Sequence, residues 1–268
     1  MATIRQVEIM INGKRYSLNA DMHTHTTFSH GLGSIEDNVL AARNRNIHTI
    51  AITDHGPGHY GYGIRRRDIP KMRREINRLS VKYPDMEILL GVEANILGRG
   101  KIDIKRSEYR LFDFICAGYH YGALGGGTPA GVLNAAGNYM RSKPEKASKA
   151  MIKKNTKAIV DALLHNPIKF LTHPGDKAPV DLLEIAVVCA KVGTYIELNT
   201  LHASLTSEDI KTMALADVKF IVSSDAHSPD RVGDFLSAVN LLIEAGISMD
   251  RVVNVTETPE PSDSNSIG

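Results

Sequence analysis

Short runs of β-branched and apolar residues alternate along the chain with longer stretches in which apolar positions recur every three or four residues. The runs cover residues 17–22, 48–53, 87–92, 112–119, 168–172, 194–198 and 219–223, and read as seven strands. Helical spacing covers 34–46, 69–82, 144–165, 180–192, 207–215 and 232–245. Ser34 with Asp37 makes a capping signal ahead of Val39, Leu40 and Ala42. Ahead of all this, alternating residues 7–11 and a return over 15–22 flank Asn12-Gly13, a pair suited to a type I′ turn, so a hairpin opens the chain. Strands that alternate with helices predict an α/β fold with parallel strands and crossover connections.

No internal repeat and no interior linker interrupts this pattern, so residues 1–255 are expected to form one domain with the hairpin (about 5–18) at its start. Residues 256–268 are rich in Thr, Glu, Pro, Ser and Asp with no apolar period, and are expected to be a disordered tail. Residues 122–131, with Gly125-Gly126-Gly127 at their centre, follow the fourth strand as either a cover over a site or a long connection.

At 268 residues, 43% hydrophobic and 23% charged, the chain suits a globular domain and argues against a membrane protein or a disordered binder. Thirty-two basic against thirty acidic residues give a net charge of +2, too small to build a global field for nucleic acid. Two cysteines in apolar segments, Cys116 and Cys189, and an opening without a charged-then-apolar leader predict a reducing cytoplasm. Eleven histidines without a single tryptophan change the picture, because their positions are not scattered.

Side chains two apart on a strand share a face, so Asp21, His23 and His25 are expected to project the same way at the end of the first strand. His30 follows after a short loop. The second strand ends at Asp54 and His55, the third at Glu93, the fourth at His120, the fifth at His173 and the seventh at Asp225 and His227. Six of seven strands thus finish in a metal-ligand type, and the carboxyl ends of parallel strands converge on one face. A carboxylate such as Glu93 behind an apolar run is costly to bury unless a cation neutralises it. His23, His25, His30, His55, Glu93, His120, His173, Asp225 and His227 supply nine donors, too many for one tetrahedral ion and suited to two or three. His48 and His165 read as structural or solvated. His59 and His202, in loops past the second and sixth strands, are candidates to line a substrate pocket.

These motifs, Asp21-Met22-His23-Thr24-His25, Thr53-Asp54-His55, Glu93 with His120, Thr172-His173-Pro174 and Ser224-Asp225-Ala226-His227, resemble the PHP (polymerase and histidinol phosphatase) family from about residue 20 to 235. Ile52-Thr53-Asp54-His55-Gly56-Pro57 and Gly91-Val92-Glu93-Ala94-Asn95-Ile96 look most like its stand-alone bacterial phosphatases. The resemblance implies a distorted (β/α)7 TIM-like barrel and three divalent ions, zinc first, with iron or manganese suited to the same donors. It places His23, His25, Glu93 and Asp225 on one ion, Glu93 as a bridge to a second held by His120 and His173, and His30, His55 and His227 on a third.

A metal-bridging hydroxide attacking the phosphomonoester of a small metabolite, histidinol phosphate or a related phosphate, would follow from such a centre. Glu93 and Asp225 would act in catalysis as ligands, and Asp54 by holding an imidazole or by moving a proton, with Asp21 a further candidate for the holding role. Phosphate is commonly held by arginine, which nominates Arg65 and Arg66 in the 65–67 cluster and Arg231, with Asn199 pointing into the site. The basic residues over 141–157 read mostly as a solvated helix face. An alternative reading is a phosphodiesterase, nuclease or polymerase-associated module, but 6% aromatic residues give no strong nucleic-acid signal. The expected partner is a small phosphorylated substrate, without a membrane, and a homo-oligomer stays open.

Overall fold

The computed structural model describes residues 8–11, 13–123, 136–138 and 147–258. The opening hairpin forms from β1 (Glu8–Ile11) and β2 (Lys14–Leu18), paired antiparallel, with Gly13 at φ +79°, the left-handed region that glycine enters freely. Asn12 lies outside the described residues.

The returning run does not stay one strand. It breaks at Asn19, and β3 (Ala20–Asp21) turns to pair in parallel with β4 (Thr49–Ile52), itself parallel to β5 (Glu87–Leu90). The chain breaks again at Gly91 and Val92 before β6 (Glu93–Gly98), so Glu93 opens a strand instead of closing one. A short antiparallel partner, β7 (Lys101–Ile102), follows β6. Then come β8 (Ile115–Gly118), β9 (Ile168–Leu171), β10 (Tyr195–Asn199) and β11 (Phe220–Ser223). They make a six-stranded sheet in the order β11-β10-β9-β8-β6-β7, parallel apart from β7, beside the three-stranded β3-β4-β5.

Helices α1 (Ile35–Asn44), α2 (Ile69–Lys82), α3 (Lys149–His165), α4 (Leu182–Val192), α5 (Ser207–Ala214) and α6 (Leu236–Glu244) fall within the expected stretches. Ser34 caps α1 in a reciprocal box with Asp37, as the sequence suggests. The last helix starts four residues later than its apolar pattern, because a 3-10 turn at Pro229–Arg231 and Gly233 at φ +79° intervene. β8 and β11 are buried at every position, the mark of strands covered on both faces. Among the described residues no helix is long and apolar enough to cross a membrane.

One more strand pairing corrects the expected tail: β12 (Val255–Thr258) runs antiparallel to β2 in a second three-stranded sheet, β1-β2-β12. Its threonines suit a half-exposed ladder, and Lys14 meets Glu257 at 2.9 Å. Residues 259–268 lie outside the described residues.

Isolated parallel bridges, Thr24 to Ala226 and His55 to Glu93, join the small parallel sheet to the large one. Behind the first, the buried Asn254 side chain accepts from Val222 N (3.0 Å) and donates to Ala20 O (2.8 Å) and Val222 O (2.6 Å), spanning β11 and β3 where no ladder forms between them.

Candidate metal centre

Each seam places ligand-bearing backbone. Thr24 Oγ1 donates to Ala51 O and His25 N to Ala226 O, clamping His23 and His25 between the two sheets. The second seam sets His55 against Glu93. His120 and His173 stand two residues past β8 and β9, while Asp225 and His227 follow β11. His173 (φ +28°) and Asp225 (φ +50°) occupy left-handed backbone, which for non-glycine residues costs on the order of 1–3 kcal/mol each and concentrates where a side chain must be aimed.

The aimed atoms form compact sets. His23 Nε2 and His25 Nε2 lie 3.1 Å apart, and each stands 3.0–3.7 Å from Glu93 Oε2 and Asp225 Oδ1. On the other Glu93 oxygen, His120 Nε2 (3.1 Å) and His173 Nε2 (3.0 Å) close a triangle with a 3.3 Å side. A third group gathers one nitrogen each from His25, His30, His55 and His227 within 4.8 Å. Glu93 therefore faces two groups with its two oxygens.

These spacings fit cations better than hydrogen bonds. Donors on one tetrahedral ion at about 2.0–2.1 Å sit roughly 3.3 Å from each other. Buried His25 Nδ1, His30 Nδ1, His55 Nδ1, Glu93 Oε2 and Asp225 Oδ1 have no hydrogen-bond partner. His55 Nδ1 comes within 2.7 Å of Glu93 Oε2, but the two are not aligned as donor and acceptor. Orphaned buried polar atoms at this density are otherwise costly. Imidazole and carboxylate donors suit divalent transition metals.

The titration of the group follows from crowding. Burial raises the Glu93 and Asp225 carboxyls, but the imidazoles around them outweigh it and hold both well below the usual range. Burial lowers His25, brings His30 to about 4 and His120 to about 3, leaving these rings neutral with a lone pair to offer. In His23, burial is overcome by Asp225, Glu197 and Glu93, which raise it well above its ordinary value.

Partners behind the ligands orient them. His23 Nδ1 donates to Glu197 Oε1 at 2.6 Å, Asn95 Oδ1 meets His120 Nδ1 at 2.9 Å, Thr172 Oγ1 donates to Glu93 Oε1, and Asn199 Nδ2 donates to Asp225 Oδ2. Glu197, fully buried in β10, is the residue that reading the sequence missed. Its signal was present: a carboxylate between Ile196 and Leu198 inside an apolar strand.

The PHP domain family model matches residues 21–201, spanning four of the five motifs. The chain belongs to the PHP family. A protein named "Probable phosphatase YcdX" from Escherichia fergusonii is 27% identical over 252 residues, 88% of this chain and 89% of that one. "Probable phosphatase Teth514_1060" from Thermoanaerobacter sp. is 28% identical over 253 residues, 87% and 89%. Among solved structures, histidinol phosphate phosphatase of Lactococcus lactis, complexed with zinc, L-histidinol and phosphate, superposes with a TM-score of 0.60 at 16% identity, covering 86% of this chain and 94% of that one. HisK of Listeria monocytogenes gives 0.62 at 17% identity, covering 81% and 98%. At such identity these likenesses show the fold of the PHP chain.

Other expected site residues are distributed unevenly around the PHP centre. Asp21 does not join His23 and His25: its carboxylate accepts from Gly233 N (2.7 Å) and Ser224 N (3.2 Å), because the strand ends there and turns it to the neighbouring loop. Asp54 accepts from Thr26 N and Thr26 Oγ1, and from Ser29 Oγ, holding the loop between His25 and His30. His59 stacks on His55 with ring centres 4.9 Å apart. His202 stands 5.2 Å from the His173 ring, with Asp176 and Lys177 at its Nδ1. Arg65 lines a cavity of about 340 Å3 with Thr27, Phe28, Ser29, Gly61, Gly63 and Asp68. Arg66 is engaged by Glu108 and Asp103 O, and Arg231 by Asp234. His48 and His165 are exposed, as expected.

Proposed function

We propose that this PHP protein is a metal-dependent phosphatase that hydrolyses the phosphomonoester of a small metabolite, histidinol phosphate or a related compound. The observation that carries this reading is the nine converging donors, several of them buried without hydrogen-bond partners. The names of these relatives, matched over 89% of their length, support it. We read the two parallel sheets and their bridging seams as a distorted (β/α)7 barrel within one domain that includes β12, and the donors as holding three divalent ions, zinc first.

Bound ions would supply Lewis-acid charge and a water activated at neutral pH, the two needs of monoester hydrolysis. His23, His25, Glu93 and Asp225 would hold the first, Glu93, His120 and His173 the second, and His30, His55 and His227 the third, with His25 close enough to serve this set as well. Glu93 would belong to both the first and the second set, since its two oxygens face different groups of donors. Glu197 and Asn95 keep the outer nitrogens of His23 and His120 occupied, so the inner nitrogens stay directed at the centre. Asp54 acts here by fixing the His25 to His30 loop. His59, His202 and Arg65 stand at the approach, where imidazole and guanidinium groups orient a phosphate.

The double variant His23→Ala with Asp225→Ala removes two donors from one set. It is expected to abolish metal-dependent hydrolysis of a chromogenic phosphomonoester, and unchanged turnover would sink the proposal. A screen of phosphorylated metabolites with the zinc-loaded protein then identifies the leaving group.

A further inference from the structure

One buried carboxylate has no part in the chemistry above. Asp103, at the start of the segment after β7, is 8% exposed and, among the described residues, carries no cationic partner at its carboxylate. Its Oδ1 accepts from Asn95 N at 2.8 Å, and its Oδ2 accepts from Asn95 Nδ2 at 2.6 Å and Gly58 N at 2.7 Å; burial raises the carboxyl above its ordinary value, and these hydrogen bonds oppose that shift. Three N–H groups on two oxygens call for an acceptor-only group, the ionised carboxylate.

The consequence lies one residue further in. An asparagine amide has a donor end and an acceptor end of nearly the same shape, so its neighbours decide which way it faces. Asp103 takes one N–H of the Asn95 donor end at 2.6 Å and Gly56 O accepts from the same nitrogen at 3.4 Å, which leaves Oδ1 as the group that Asn95 presents to His120 Nδ1, 2.9 Å away. An oxygen there favours the proton on Nδ1, against the competing pull of Glu93 Oε1, 3.1 Å from Nε2. The other ring nitrogen, Nε2, then carries the lone pair and points at Glu93 Oε1 and His173 Nε2.

We propose that Asp103 is a positioning residue that acts through Asn95 to fix the tautomer of His120, and thereby the metal affinity of the Glu93, His120 and His173 set. The fit is tight on the far side too: a Cβ at Gly58 would stand 2.7 Å from the Asp103 Cβ, and one at Gly56 would meet its carboxylate. The turn that leads from His55 to His59 is thus packed directly on the same carboxylate. The inference rests on the metal-centre reading, but not on phosphatase activity.

Polarity exchange tests it. In Asp103→Asn, position 103 offers both a donor and an acceptor, so Asn95 keeps only the longer contact of its Nδ2 with Gly56 O (3.4 Å) to orient it. Zinc affinity, read by chelator competition, is expected to fall about 10–100-fold, the usual effect of losing a partner behind a metal-bound histidine. Asn95→Asp alone sets two carboxylates face to face and should fall at least as far. The double variant Asn95→Asp with Asp103→Asn restores an acceptor at His120 and a donor behind it, and should recover most of the affinity. Nitrogen-15 NMR of the metal-free protein, labelled at histidine, reads the His120 tautomer directly. It should be the Nδ1–H form in the parent and double variant and mixed in Asp103→Asn. A double variant no better than either single one, or an unchanged tautomer in Asp103→Asn, overturns the proposal whatever the turnover. Zinc binding that follows this pattern without phosphomonoester hydrolysis would overturn only the proposed function.

Discussion

Replacing Glu197 by glutamine changes one buried atom and should be felt at the opposite side of an imidazole. The Glu197 carboxylate takes His23 Nδ1–H on Oε1 and both His173 N and Asn199 Nδ2 on Oε2. A glutamine must place its single oxygen where two donors wait, which turns its NH2 toward His23. His23 can then meet it only with a bare Nδ1, which leaves its proton on Nε2, the nitrogen that faces His25, Glu93 and Asp225. Zinc affinity should therefore drop about 10–100-fold, or roughly 1.4–2.7 kcal/mol. In the metal-free protein the lost hydrogen bond to a charged partner is worth about 1.5–3 kcal/mol. At about 2–4 °C per kcal/mol for a chain of this size, the melting temperature should fall by roughly 3–12 °C. Chelator competition and thermal denaturation followed by circular dichroism measure the two effects separately. A Glu197→Gln protein that binds zinc within twofold of the parent and melts within 1 °C of it would refute the reasoning.

Three further outcomes are expected. Gly118→Ala would bring a Cβ against Thr172 Oγ1 and within 3.1 Å of His173 and 3.2 Å of His120; overpacking of about 1–3 kcal/mol and reduced zinc content should follow, and a parent-like melt with full zinc would contradict the packing. Asn254→Ala removes the side chain that spans β11 and β3 and should cost about 3 kcal/mol through buried groups left unpaired, visible as a lower denaturant midpoint. Glu36 is held at about 2 by Lys82, Tyr83 and Arg78, so its contribution is present above the ordinary carboxyl pKa and is lost as pH falls toward 2. The difference in melting temperature between the parent and Glu36→Gln should shrink from pH 4.5 to pH 2, and a constant difference would exclude the network as its source.

Much of the site was legible because ligands follow strands, and strands announce themselves by unbroken apolar runs. His23, His25, His120, His173, Asp225 and His227 were placed by that logic alone. It failed where the backbone changes direction without changing composition. Glu93 ends an apolar run in the sequence but begins β6 in space, since nothing local marks the break at Gly91. Asp21 has the spacing of a ligand, yet the strand is two residues long and its carboxylate finds backbone amides first. Glu197 was passed over in favour of Asn199, although the cost of burying a carboxylate inside a strand applies to it as to Glu93. The pairing of β12 with β2 joins the two ends of the chain, a distance that no window of sequence spans.

The donors come from both parallel sheets: His23, His25, His30 and His55 from the small one, and Glu93, His120, His173, Asp225 and His227 from the large. The set around His23 takes two from each side, directly above the seams where only single bridges join the sheets. Ions there would add to the backbone hydrogen bonds that join the two halves, among them His25 N to Ala226 O and Gly56 N to Glu93 O, so the energy of metal binding would also be energy of assembly. Were the ligands lost, packed side chains or ion pairs would have to supply that closure instead.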